Sequence, residues 1–305
     1  MSKVRDVGSN GNKGSTEGIE EGSIRLWTPI FPVLCCVCGL IAMFAGYLTA
    51  VLNHHIDAWL PLISEGGVFF PESGIFASFF NLTAFFWWIT SFLICLQLHQ
   101  HIRVHRGAHS KLRFVVYFML ATGLISGVGL VLLANFRLNS PGSVHGKGAL
   151  ALFFGGMAFS WCYIVMMAVL KQQPKWVWIG KVVLISIVSA CVILHETGKR
   201  VPFLVTPFPN GTYPAWPQHI NGVFRVDSDN PFFTHRVVTN AAEWALAIGY
   251  FLIVASSAYD LTFLRLQFEV KQRVSMIENL DPGTMVGVPT ISRYNRKIEI
   301  SDVAD

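Results

Sequence analysis

The chain has 305 residues, of which 52% are apolar and 13% charged, about half the roughly 25% charged share of a soluble domain. The net charge is +5, but Lys and Arg border apolar blocks instead of forming a basic face. This excludes nucleic acid as a partner and makes the charge a guide to topology. Cys35, Cys36, Cys38, Cys95, Cys162 and Cys191 all fall inside apolar blocks, so no disulfide framework is implied.

Taken in chain order, residues 1–24 are rich in Gly, Ser, Asn and Glu and too polar to offset ordering entropy, which predicts a disordered tail. A cleaved leader would place its apolar stretch nearer the start; here it begins at Trp27. Six apolar blocks meet the length of about 20 residues that a spanning helix needs: 27–52, 74–98, 113–136, 148–170, 176–195 and 238–263. The prediction is an all-α, six-span membrane domain over 25–268. Helix formers continue past the last span toward Pro282, predicting that helix six extends before a tail over 269–305. Cys35, Cys36 and Cys38 read as packing residues, with acylation near a helix end as the alternative.

Of the 23 Lys and Arg residues, 17 fall in the two tails and in the 103–113 and 171–181 regions, and 6 in the other three loops. Both termini are therefore expected in the cytosol. Asn210-Gly211-Thr212, in the long loop 196–237 on the opposite side, is an N-glycosylation acceptor. Asn81-Leu82-Thr83 fits the same pattern inside span two, where it stays unmodified. Trp27, Trp59, Trp176, Trp178, Trp216 and Trp244 cluster at span ends or in loop five, as interfacial anchors do. Gly123, Gly127, Gly129, Gly155 and Gly156 predict close helix contact.

The polar residues Glu72, Asn135, His145, His195 and Glu243 are placed by this topology near the luminal span ends. The plain reading is a ring of interface residues bonding loops to helices. The sharper one is a shared pocket for a lipid headgroup or a metal. His145, His195 and Glu243 are the ligands a zinc centre would draw on, but no ligand pair recurs at helical spacing on one segment. No metal or other cofactor is expected. There is no G-x-S-x-G, phosphate loop or dinucleotide fingerprint, so no catalytic residue is assigned. The run His99, His101, His105 and His109 beside Arg103, Arg106 and Arg113 fits contact with anionic lipid headgroups. The span interiors are read as free of the mid-depth charges a transporter would carry.

Trp59-Leu60-Pro61-Leu62-Ile63-Ser64-Glu65-Gly66-Gly67, followed by Phe70-Pro71-Glu72-Ser73-Gly74-Ile75-Phe76, resembles the damage-regulated autophagy modulator family. That family's wider group includes fibroblast-growth-factor-receptor-activating proteins, a yeast phosphatidylinositol 4-kinase suppressor and the N-terminal part of a cell-wall and GPI-lipid remodelling protein. Within the motif, Ile63, Ser64, Gly67, Pro71, Glu72 and Ser73 carry the resemblance. Leu133-Ala134-Asn135-Phe136, Val144-His145 with Gly148-Ala149, and Ala242-Glu243-Trp244 follow in order. The similarity runs from about 28 to 268; loop 196–237 and both tails depart from it.

The resemblance implies a non-enzymatic multi-pass regulator that promotes autophagy in the lysosomal or wider endomembrane system. It works through the bilayer and through protein partners that the sequence does not identify. The alternative is a plasma-membrane or Golgi factor in phosphoinositide kinase recruitment or GPI-anchor lipid remodelling. No clear lysosomal sorting signal stands in the tails, since Tyr294-Asn295-Arg296-Lys297 lacks a bulky apolar fourth residue.

Overall fold

A computed structural model describes residues 17–107, 109–138, 143–217, 226–275 and 291–301. The chain divides into two units, Pro29–Leu261 and the paired segments Met1–Thr28 and Thr262–Asp305.

The first unit holds six α-helices, each long and apolar enough to cross a membrane: α1 Ile30–Leu52, α2 Glu72–Arg106, α3 Leu112–Asn135, α4 Val144–Leu170, α5 Lys175–Gly198 and α6 Phe233–Leu261. In hydrocarbon, a helix satisfies its own backbone polar groups, so these blocks have little alternative. Every helix touches the next and α1 touches α6, closing the bundle into a ring. Met43, Phe80, Leu130, Phe153, Ile185 and Leu246 fill its core. Val37, Phe85, Phe92, Ile125, Ile187 and Leu252 stay exposed, the pattern of a bundle whose outer solvent is lipid.

α3 and α4 meet backbone to backbone. A Cβ on Gly129 would lie 2.4 Å from the Leu152 nitrogen, and one on Gly148 would lie 2.8 Å from the Gly129 oxygen. The expected close packing through small residues is thus found at this pair. Cys35, Cys36 and Cys38 are all buried, which fits packing residues.

Several span edges differ from the sequence reading. α6 starts at Phe233, five residues before 238, because the Asn230 side chain accepts the Phe232 N–H at 2.9 Å and Pro231 sits at the turn. α2 runs on to Arg106, so His99, His101, Arg103 and His105 stand on a helix and not in a loop. α1 begins after Pro29, where the fixed φ of proline suits a helix start.

The second unit is a three-stranded antiparallel sheet: β1 Glu17–Leu26, β2 Arg265–Ser275 and β3 Ile291–Ser301, in the order β1-β2-β3. Ile24 is registered with Phe268, and Glu269 with Lys297. The Thr28 hydroxyl donates to the Leu264 carbonyl at 3.1 Å beside the β1–β2 pair. This overturns two expectations. Residues 17–24 are strand and not unstructured chain, and helix six stops at Leu261 instead of continuing. Leu266, Phe268 and Val270 alternate with Gln267, Glu269 and Lys271, a period of two that suits a strand better than a helix. The remaining tail expectations, for 1–16, 276–290 with Pro282, and 302–305, lie outside the described residues.

Candidate functional site

The loops joining α1 to α2, α3 to α4 and α5 to α6 share one end of the bundle, here termed the odd-loop end. Its centre is the Ile63-Ser64-Glu65-Gly66-Gly67 motif, which folds as a short 3-10 helix, fully buried. Two glycines allow the close approach. A Cβ on Gly66 would lie 3.2 Å from the Tyr47 nitrogen, and one on Gly67 would lie 2.8 Å from the Phe76 ring. A larger residue at either position would force backbone or ring to move.

One face of α6 receives this segment. Arg236, Asn240, Glu243 and Trp244 follow each other at helical spacing. The Asn240 amide donates to the Leu60 carbonyl at 2.8 Å, and the Trp244 indole to the Pro61 carbonyl at 2.8 Å. Glu243 Oε2 accepts the Ile63 N–H at 2.9 Å. Glu65 Oε2 accepts the Leu62 N–H at 3.0 Å, and the Arg236 guanidinium reaches both Glu65 oxygens at 3.2 and 2.9 Å. Two carboxylates therefore meet the unsatisfied N–H groups at the start of the 3-10 helix. Burial raises the Glu65 carboxyl above the usual range. Arg236 and the Leu62 N–H pull it down, and Asp57 pushes it up.

The other polar residues expected at this end go elsewhere. Glu72, fully buried at the start of α2, pairs with His55 Nδ1 at 2.5 Å. The Asn135 side chain exchanges hydrogen bonds with Asn81 at 3.2 and 2.8 Å. His145 Nδ1 donates to the Phe136 carbonyl at 2.8 Å, closing the α3–α4 hairpin. His195 Nδ1 donates to the Thr239 carbonyl at 3.0 Å, tying α5 to α6. Among the described residues the five have separate hydrogen-bond partners. Among the described residues no group of three or more His, Cys, Asp or Glu side chains is arranged to hold a metal. In loop five, Asn210 is exposed and its side-chain oxygen accepts from both the Thr212 N–H and hydroxyl, at 3.0 and 2.7 Å. Glu196 is paired with Lys199 at 2.8 Å and Arg200 at 3.1 Å.

The opposite end holds a buried charged cluster that the sequence reading did not single out. Lys181 of α5 and Asp260 of α6 form a buried ion pair. The Tyr163 hydroxyl of α4 donates to Asp260 at 2.5 Å, and the Gln173 amide in the α4–α5 turn donates to its other oxygen at 2.7 Å. Gln97 of α2 donates to the Asp260 backbone carbonyl at 3.0 Å. Lys181 stands 5.4 Å over the Tyr163 ring. By position in the chain this lysine counts among the flanking residues of 171–181, although it lies about 9 Å inside α5 at 1.5 Å per residue. The sequence shows a lysine in one span and an aspartate in the next, both near the same end, but not that they pair.

Two of the motif fragments, at Ile63 and Glu243 and 180 residues apart, thus meet at one dock, and comparison with known proteins bears on what that dock belongs to. A family model described as Frag1/DRAM/Sfk1/Cwh43P N-terminal domain matches residues 27–263. Human DNA damage-regulated autophagy modulator protein 1 is 26% identical over 255 residues, covering 82% of this chain and 95% of that protein. Human DNA damage-regulated autophagy modulator protein 2 is 27% identical over 237 residues, covering 73% and 78%. The zebrafish modulator of macroautophagy TMEM150B is 29% identical over 179 residues, covering 56% and 74%. No solved structure matches. With the family model spanning all six helices, the chain is a member of the Frag1/DRAM/Sfk1/Cwh43P family.

Proposed function

We propose that this protein is a multi-pass membrane regulator that promotes autophagy from the lysosomal or wider endomembrane system, without chemistry of its own. The observation that carries the reading is the family match over 27–263. That match takes in the dock of the loop-one motif on Asn240, Glu243 and Trp244, and the relatives concerned are named as modulators of autophagy. Most polar contacts of the dock hold backbone, which suits a structural cap better than an active site.

In this reading the odd-loop end is luminal, Asn210 carries a glycan, and both chain termini are cytosolic, as the Lys and Arg distribution favours. The helical His99, His101, Arg103, His105 and Arg106 then face the cytosol, where they meet anionic lipid headgroups and protein partners. Deletion of the gene followed by measurement of autophagic flux under starvation tests the proposal. Reduced flux is expected; unchanged flux overturns it.

A second reading, phosphoinositide kinase recruitment or GPI-anchor lipid remodelling at the plasma membrane or Golgi, draws on that same basic stretch. It predicts altered kinase localisation or altered surface levels of GPI-anchored proteins after deletion, with flux unchanged.

A further inference from the structure

Within the ring, α1, α2, α3, α4 and α6 line a half-open pocket of about 110 Å³, far above the ~10–15 Å³ needed to hold one water. α6 lines it from Glu243 to Val254 and α2 from Phe76 to Trp87, so it runs about 16 Å along the helices at 1.5 Å per residue. It is long and narrow, and its wall is apolar. Several polar side chains in that wall turn their donors back onto backbone: Thr83 to the Phe79 carbonyl at 2.8 Å, Ser126 to that of Leu152 at 3.1 Å, and Tyr250 to that of Phe153 at 2.6 Å; Ser64 and Ser160 also line it. A water column would find few partners apart from Ser64, Ser160 and Glu243, whereas a hydrocarbon chain would find mainly apolar contact.

One end is different. There the 3-10 helix and Glu243 close the cavity, and only one Glu243 oxygen is engaged by the Ile63 N–H. An occupant with its polar head at this end must hydrogen-bond a buried carboxyl. A hydroxyl suits it in either protonation state, because it both donates and accepts, while an anionic head would be repelled by the carboxylate.

We propose that the interior of the ring is a binding site for one chain of a neutral, hydroxyl-bearing membrane lipid, seated along α2 and α6 with its hydroxyl on Glu243. The proposal does not rest on the autophagy reading. The bilayer supplies the ligand, and the pocket's length along α2 and α6 suits an extended chain.

The test is photolabelling of the full-length chain in membranes with a dodecanol that bears a mid-chain diazirine and a terminal alkyne. Adducts are expected on the inward Phe80, Thr83, Ala247 and Phe251. Adducts confined to the outward Leu82, Phe85 and Leu252, which are exposed on the same two helices, overturn the site. Ala247→Phe is expected to cut the inward adducts roughly tenfold and leave the outward ones unchanged, since a filled cavity leaves no volume for the chain. Ser160→Leu, which fills it from α4, does the same where the first variant fails to insert. Inward labelling that survives in a correctly inserted filler overturns the proposal. Free dodecanol should displace the probe far better than dodecyl methyl ether; equal competition removes Glu243 as the head contact.

Discussion

The two ends of the helical ring use buried polar groups in opposite ways. At the odd-loop end, Glu65, Asn240, Glu243 and Trp244 each meet a backbone N–H or C=O of one short segment, and the carboxylates there shape a loop. At the other end Lys181 and Asp260 meet each other, with Tyr163 and Gln173 completing the shell, so that α4, α5 and α6 share one ion pair. The first arrangement costs less to bury because its groups meet neutral backbone dipoles, with one arginine on Glu65. The second has two desolvated charges that depend on each other. What separates them is therefore sensitivity to losing a single partner: the ion pair is fragile in that sense, the dock is graded.

The most severe break is expected at Asp260→Ala, which leaves Lys181 buried and uncompensated, a loss of ~3–5 kcal/mol. Thermal unfolding of the detergent-solubilised protein and the fraction inserted in membranes should both fall sharply. Lys181→Met combined with Asp260→Leu should recover much of that loss. Recovery should be incomplete, because the Tyr163 and Gln173 donors are then orphaned. If the single and double variants were equally destabilised, the ends would not differ as described.

Glu243→Leu should come next. It strands the Ile63 N–H and is expected to cost ~1–3 kcal/mol, whereas Glu243→Gln, which keeps an acceptor, should cost less than about 1 kcal/mol. Trp244→Phe removes the donor to Pro61 and should lower stability by about 1 kcal/mol. Protease sensitivity of loop one should rise in the same order.

The smallest effect concerns pH. Because burial holds the folded Glu65 carboxyl above its unfolded value, the folded state binds the proton more tightly. Its contribution is therefore most favourable at acidic pH and declines as pH rises from the ordinary carboxylate range through the raised one. Glu65→Gln should flatten this slope. Arg236→Gln should steepen it, since the guanidinium is what pulls the carboxyl down. Melting temperatures measured across that window, with Arg236→Gln showing no steeper slope, would break the account.

Much of this molecule is legible in its residue order alone. Hydrocarbon leaves a chain of uninterrupted apolar residues no option but self-bonded helices, so the six spans can be read from block length. The Gly129 and Gly148 contact follows from small residues in facing spans, and the motif residues around Ile63 and Glu243 can be named. Local misreadings have local causes. The period-two alternation in 265–271 is hidden by residues that also favour helices, and Asn230-Pro231 announces the start of α6 five residues early.

What the sequence does not decide is which polar residues meet. Glu72, His145 and His195 look equivalent to Glu243 in linear order, and only the ring's closure sends Glu243 to the Ile63 N–H while His195 goes to Thr239 and His145 to Phe136. Lys181 and Asp260 are 79 residues apart, and no local pattern couples them. Span formation is a property of each segment and its solvent. Pairing is a property of which helix faces converge, and that is fixed only when all six pack together.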